Sequence, residues 1–403
     1  MSVDLRSRWD DAPESVDPTE FFATTLGQLL ATEPDVVAST ERLDLRPIAV
    51  TVADSTWIFW RDHDTIRVAA ISASTPEPVE TWLLTVEQLR DIVADLVTPV
   101  GLMTAGQLHL DRQRIARVMD WWLVWRALLD HRPVYTPGSI TVDDDLTRSF
   151  TLTDPVASMR MFLETNGYLH VRGVFDPADM ERISADMDAA APTYEPDDGN
   201  SWWATLTDGT KRVVRMQHFD EHSPTTAEML ASVRYQTLAT IPGCGHASAW
   251  RSPNHIEALF KPLGVTEGIS DIPWHKDCSL GRHSYQCCGL TVGISVTGGG
   301  PTSGQLHVIA GSHRANVWPS LLDPTTLDLP DVAIATDAGD VTLHLSCTMH
   351  MAQPPTERER RVMYTGFALP PRDPIATAAA NRRLLKTSRE NAPLTTSQST
   401  AVR

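Results

Sequence analysis

Trp274, His275, Lys276 and Asp277 set an imidazole and a carboxylate two positions apart. On extended backbone, residues i and i+2 face the same side, so one short piece of chain can aim both groups at a single ion. A third ligand is available in GDVTLHLSCTMH, where a turn at Gly339 and Asp340 leads into a strand-like run ending at His350, 73 positions beyond Asp277 (350 − 277). Two imidazoles and one carboxylate on one face of a six-coordinate ion leave three positions open, the arrangement of non-haem Fe(II) oxygenases. His344 is a rival third ligand, but it lies inside the run whereas His350 stands at its far end.

Downstream, RERRVMYTGFAL carries Arg360 and Arg361 into another strand-like run. A guanidinium is planar, permanently charged and shaped to hold a carboxylate through two bonds. Eleven positions past the last ligand (361 − 350), Arg361 is placed to grip the distal carboxylate of a 2-oxo acid whose other end chelates the metal. Neighbours on a strand face opposite ways, so only one arginine points inward; spacing favours Arg361, with Arg360 as the alternative. Lys261, in ALFKPLG, is a further cation for the 2-oxo acid or an acidic substrate group, or else a snorkelling surface lysine. Thr291 offers a hydroxyl to the 2-oxo acid. Trp202 and Trp203 are candidates for the substrate entrance, and Trp274 is a candidate substrate contact or a packing wall.

The elements that must position these groups are legible in outline. From Pro18 a helical stripe is predicted through Phe21, Phe22, Leu26, Leu29 and Leu30. Runs at 47–52, 56–61 and 65–71, separated by short Asp- and Ser-containing loops, predict an antiparallel meander. Thr85 and Gln88 have capping-box spacing ahead of Leu89, Ile92, Val93 and Leu96. A strand is expected at 105–110, then a helix with Ile115, Val118, Met119, Trp122 and Trp125 at helical spacing. Trp121, Trp122 and Trp125 are read as core or a domain-interface stripe rather than a ligand box. Two prolines, a glycine and an acidic run around 131–145 mark a domain boundary. Beyond it a helix over 154–166 stops at Gly167, YLHVRGV is a strand, and Asp176 caps a helix opening at Pro177 with Met180, Ile183 and Met187 inward. Residues 191–256 show no clean periodicity.

With 403 residues, two domains are expected. A formal net charge of −17 argues against a nucleic-acid surface, which needs clustered Lys and Arg. No signal-peptide core and no membrane-length apolar run are visible, so a cytoplasmic protein is expected. Its five cysteines, Cys244, Cys278, Cys287, Cys288 and Cys347, lack CxxC spacing and are read as reduced and mostly packed.

Taken together, FLETNGYLHVRGVFDPADMERI at 162–183, WHKD at 274–277, GQLHVIAGSHR at 304–314, GDVTLHLSCTMH at 339–350 and the arginine pair at 360–361 resemble the phytanoyl-CoA dioxygenase family of Fe(II)/2-oxoglutarate oxygenases over residues 150–370. The resemblance implies a double-stranded β-helix (jelly-roll) core, iron held by His275, Asp277 and His350, 2-oxoglutarate clamped by Arg361, O2 as co-substrate and ascorbate as a stimulant. It implies that His313 supports a strand turn, and that Asp277, a carboxylate where halogenating relatives have a small residue, favours oxygen transfer. The first part is similar to a sterol-carrier-protein-2 domain, which implies an apolar cavity. The expected organisation is α+β: a mobile start at 1–17, a smaller sterol-carrier-like domain at 18–135, the jelly-roll oxygenase domain at 146–372 and a flexible tail at 373–403. The expected activity is hydroxylation, desaturation or epoxidation of an apolar or carrier-linked small molecule, in secondary-metabolite tailoring or lipid metabolism. The alternatives are a lipid carrier with a vestigial jelly roll and a cupin-like metalloenzyme that uses no 2-oxo acid.

Overall fold

The computed structural model describes residues 13–108, 112–196, 198–248, 256–268, 272–278, 289–320, 325 and 327–369. The start, tail and strand expectations that fall on other residues, together with Cys287 and Cys288, lie outside the described residues.

The chain first builds a four-stranded sheet from β1 (Ile48–Val52), β2 (Ser55–Asp62), β3 (Thr65–Ala70) and β4 (Glu80–Leu84), in the order β3-β2-β1-β4. The expected meander is present as antiparallel β1, β2 and β3, while β4 pairs with β1 in parallel. Thr85 accepts from the Gln88 backbone N–H, and the Gln88 side chain accepts from the Thr85 N–H, so the expected capping box starts the helix Val86–Val93. The expected strand at 105–110 is a correction: a helix occupies Pro99–Thr104, and 105–107 form the turn that ends it. Thr98 explains this, since its hydroxyl accepts from the Gly101 N–H and Pro99 takes the first helical position. Trp121, Trp122 and Trp125, on the helix Arg112–Leu129, are essentially fully buried. They pack with Phe21, Phe22, Phe59 and Trp82 in a core of their own, as their helical spacing predicts.

The second part is built from two antiparallel sheets. The larger contains β5 (Tyr168–Val171), β6 (Ser201–Leu206), β7 (Lys211–Met216), β8 (Ala247–Ser248), β9 (Glu257–Lys261), β10 (Val265–Gly268) and β11 (Leu290–Ser295). The smaller pairs β12 (Leu306–Ile309) with β13 (Asp331–Ile334) and with β15 (His350–Ala352). Between β13 and β15 the chain returns to the larger sheet as β14 (Val341–Leu345), and it closes there with β16 (Arg360–Ala368). The central order β9-β16-β11-β14-β5 is not sequential, as expected of a jelly roll. Helices Val156–Asn166 and Pro177–Ala190 cover the outer face of the larger sheet, where Phe162, Met180, Ile183 and Met187 meet Val292, Ile294, Met363 and Phe367. The described residues of 191–256, a stretch that showed no periodicity, include the β6–β7 hairpin and two helices, Pro224–Ala231 and Val233–Thr240.

The two parts meet on one stretch of chain. Trp318 donates its Nε1–H to Asp120 Oδ1 at 3.1 Å, the Tyr135 N–H donates to Asn316 O, and Arg132 donates to Arg314 O. That stretch continues directly into Pro319, whose carbonyl accepts from the Lys276 N–H, and Ser320, whose hydroxyl donates to Trp274 O. No helix among the described residues is long and apolar enough to cross a membrane.

Candidate metal centre

His275 lies between Ser320 and His350, bridged to both as an extra edge of the smaller sheet. Its backbone exchanges hydrogen bonds with His350 in both directions, at 3.0 and 2.9 Å, so two expected ligands sit side by side although 75 positions separate them (350 − 275). Asp277, two residues on, turns its carboxylate back to them. Oδ1 lies 3.3 Å from His275 Nε2 and 3.5 Å from His350 Nε2. One ligand atom from each of the three residues lies within 4.8 Å of the others.

The protonation pattern suits a cation. His275 Nδ1 is 2.6 Å from Pro273 O and His350 Nδ1 is 2.9 Å from Thr348 O. A carbonyl can only accept, so each Nδ1 carries the hydrogen, and in the neutral ring Nε2 is the nitrogen left with the lone pair. Burial pushes the His350 imidazole down to about 3, which keeps it neutral. Burial would raise the Asp277 carboxyl, but the surrounding His350, His275 and His344 imidazoles hold it well below the usual carboxylate range. Neutral imidazoles beside an ionised carboxylate are the state a divalent metal requires. The donor set fits Fe(II).

Backbone chemistry positions the loop before His350. Gly167 ends its helix with φ +86°, and a Cβ there would meet His313 Nδ1 at 2.4 Å and Thr348 Oγ1 at 2.6 Å. Thr348 in turn donates to Gly167 O, and the His313 ring nitrogen Nε2 lies 3.0 Å from Glu164 O, so His313 has the supporting place expected for it. Asp340, of the Gly-Asp turn, accepts from Gly173 N and pairs with His170, tying β14 to β5.

The arginines are a correction. Thr291 reaches Asp277, so the face of β11 carrying Thr291 and Ser295 is the one toward the metal centre. In register, Val362 lies opposite Ser295 and Tyr364 opposite Gly293, so the alternate residues Arg360, Val362 and Tyr364 of β16 share that face. Arg361 points the other way, into the outer layer. There its guanidinium donates to Ser184 O at 2.8 Å, Asp188 at 2.7 Å and Glu359 at 3.2 Å, and it stacks 5.0 Å over Phe260. Arg360 is 5 % exposed, and its Nε has no hydrogen-bond partner among the described residues. Directly opposite on β9 stands Lys261, 2 % exposed, its Nζ donating to Ala352 O. Lys261 is therefore not a snorkelling surface group. Two buried cations facing each other across a strand pair, one with an unused donor, make a socket for an anionic oxygen group.

Other expected residues fall as follows. Thr291 does not offer its hydroxyl outward; it donates to Asp277 Oδ2 at 2.8 Å. Trp274 is buried against Ile309, Val317 and Leu329 and forms a wall. Trp202 stands on the inner face beside Arg215, which stacks 5.2 Å over its ring and pairs with Glu257 at 3.2 Å. Trp203 packs on the main core and donates to Ser201. His344, set aside as a ligand, nonetheless reaches the centre, with Nε2 3.4 Å from Asp277 Oδ2 and its ring 4.2 Å from that of His350. Only the pairing of Thr291 with His344 would have indicated this. Of the described cysteines, all free, Cys278 and Cys347 are buried with sulfurs 3.1 Å apart, whereas Cys244 is exposed.

A jelly roll with a His-Asp-His triad on one face and a buried cationic socket beyond it defines a non-haem iron, 2-oxoglutarate-dependent enzyme. The chain carries a domain of the phytanoyl-CoA dioxygenase (PhyH) family, whose model matches residues 163–362. Among solved structures, AviO1 from Streptomyces viridochromogenes Tue57 is 18% identical over 55% of this chain and 97% of its own, with a TM-score of 0.43. EctD from S. alaskensis, solved with 2-oxoglutarate and 5-hydroxyectoine, is 18% identical over 59% of this chain and 86% of its own, with a TM-score of 0.43. The epimerase SnoN, solved with Fe3+, alpha ketoglutarate and nogalamycin RO, is 17% identical over 53% and 83%, with a TM-score of 0.41. No curated protein matches this chain.

Proposed function

We propose that the chain is a dioxygenase in which His275, Asp277 and His350 bind Fe(II), and Arg360, aided by Lys261, takes the distal carboxylate of 2-oxoglutarate. The observation that carries this is the convergence of two lone-pair nitrogens and one anionic oxygen within 4.8 Å. When bound, the iron with 2-oxoglutarate and O2 supplies an oxidant for a C–H bond, and the 2-oxo acid leaves as succinate and CO2. The protein holds both imidazoles by their Nδ1–H groups, keeps Asp277 ionised and buries the cationic socket so that the carboxylate it takes is desolvated and oriented.

The substrate is a small molecule oxidised by hydroxylation, desaturation or epoxidation. Trp202 with Arg215, Glu257 and Tyr364 on the same sheet face favours one that combines an apolar ring or chain with a polar group. The two separate hydrophobic cores support a division into domains at 18–135 and 146–372, and the hydrogen bonds onto 314–320 give the first domain the role of a buttress behind His275.

Anaerobic titration with Fe(II) and then 2-oxoglutarate tests the reading, because the chelated complex has a visible charge-transfer band. The band is expected in the intact protein and absent from His275→Ala and Asp277→Ala variants that keep the native circular dichroism. Retention of the band in either variant refutes the ligand set. Incubation with metabolite extracts, searched by mass for gain of one oxygen or loss of two hydrogens, identifies the substrate.

A further inference from the structure

We propose that Thr291 and His344 form a two-donor clamp on the outer oxygen of Asp277, restricting that carboxylate to a single bond with the metal. The inference rests on the ligand set proposed above and assigns a role to two residues outside it.

The two oxygens of Asp277 have different surroundings. Oδ1 faces the Nε2 atoms of His275 and His350, at 3.3 and 3.5 Å. Oδ2 faces away from them, toward Thr291 Oγ1 at 2.8 Å and His344 Nε2 at 3.4 Å. A carboxylate only accepts, so the Thr291 hydroxyl donates, and Ser346 Oγ stands 3.4 Å behind it as a donor to the same hydroxyl. Thr291 and His344 are direct partners across β11 and β14, so one rung of the larger sheet delivers both groups.

His344 is otherwise hard to account for. It is 1 % exposed, wedged against His350 at 4.2 Å, and neither ring nitrogen has a hydrogen-bond partner of good geometry. A buried polar group without a partner is costly, and 3.4 Å from Nε2 stands the anionic Oδ2, to which an Nε2–H bond is charge-assisted. It stands outside the group of ligand atoms that converge among the described residues, which are those of His275, Asp277 and His350.

The consequence is a coordination number. A carboxylate free to rotate can chelate a metal through both oxygens. An Oδ2 saturated by two donors cannot, so Asp277 occupies one position rather than two. Three positions then stay open, enough for a chelating 2-oxo acid and O2 together, whereas a bidentate aspartate leaves only two. Thr291 and His344 are thus positioning residues.

The test uses Thr291→Val, His344→Phe and the double variant, with His344→Gln as the conservative replacement whose amide can donate from the place of Nε2. Co(II) affinity is measured by calorimetry without any turnover, and 2-oxoglutarate affinity by anaerobic titration of the Fe(II) charge-transfer band. Expected is Co(II) affinity changed by less than about tenfold, 2-oxoglutarate affinity weakened by roughly 10–100-fold in the double variant, and recovery of most of that loss with His344→Gln alone. Loss of Co(II) binding in His344→Phe to the extent seen in His350→Ala makes His344 a ligand and overturns the clamp. Unchanged 2-oxoglutarate affinity in the folded double variant overturns it equally. Thr291→Val, the smaller change, decides the matter if His344→Phe fails to fold. Failure of the ligand set itself is read separately, as Co(II) affinity that survives His275→Ala and Asp277→Ala.

Discussion

Exchanging the roles of two adjacent arginines is the sharpest test of the proposed co-substrate socket. Arg360→Gln removes a guanidinium that is 5 % exposed and faces Lys261, on the sheet face carrying the metal centre. A hydrogen bond to a charged group contributes about 1.5–3 kcal/mol. At about 1.4 kcal/mol per tenfold, losing the bidentate grip weakens 2-oxoglutarate binding by roughly 10–150-fold. Metal affinity is unaffected, since Arg360 touches none of the three ligands. Arg361→Ala removes bonds to Ser184, the 61 % exposed Asp188 and Glu359. An ion pair that exposed is worth at most about 1 kcal/mol, and with the backbone contact and the Phe260 stacking lost the fold is expected to weaken by about 1–2 kcal/mol. Its affinity for 2-oxoglutarate stays within about twofold of the parent. Band titration on both variants, with urea denaturation alongside, gives the two numbers for each. If Arg361→Ala loses 2-oxoglutarate and Arg360→Gln does not, the strand-parity argument is wrong.

Asp120 gives a pH dependence. Burial raises its carboxyl from 3.8 to about 6, despite the bonds from Trp318 and the Asp44 backbone. A carboxyl with a raised folded pKa favours the folded state only while protonated, so stability falls as pH rises from about 4 to about 6, by up to about 3 kcal/mol in all. Asp120→Asn keeps an acceptor for Trp318 and loses the bond from Asp44, so it should be less stable than the parent by about 1 kcal/mol below pH 4 and more stable above pH 6. Parallel denaturation curves at pH 4 and 7 that do not cross refute this. Gly167→Ala brings a Cβ onto His313 and Thr348 at φ +86°, and is expected to cost about 2–4 kcal/mol and to weaken metal binding through the His350 loop. A thermal shift under about 2 °C with native metal affinity contradicts it.

Much of the centre is legible in the chain itself. His275 and Asp277 stand at i and i+2, and local geometry alone makes them a pair. The Gly-Asp turn and the strand after it are likewise local, as are the capping box at Thr85 and the left-handed stop at Gly167, but that strand ends at Leu345, and His350, expected at its far end, instead opens β15 in the smaller sheet. What local pattern cannot supply is parity across a loop. Between β15 and β16 the chain runs through 353–359 without strand geometry, so counting eleven positions from His350 says nothing about which arginine turns inward. That is decided by the hydrogen-bond register of β16 on β11 and β9, a pairing between segments some 70 to 100 positions apart. The same holds for His344, which became a neighbour of Asp277 only because β14 pairs with β11 in one register; a slip of β14 by one residue would turn it away from the metal. Residue types and short spacings determined that a metal could bind here, and long-range strand pairing decided which side chains surround it.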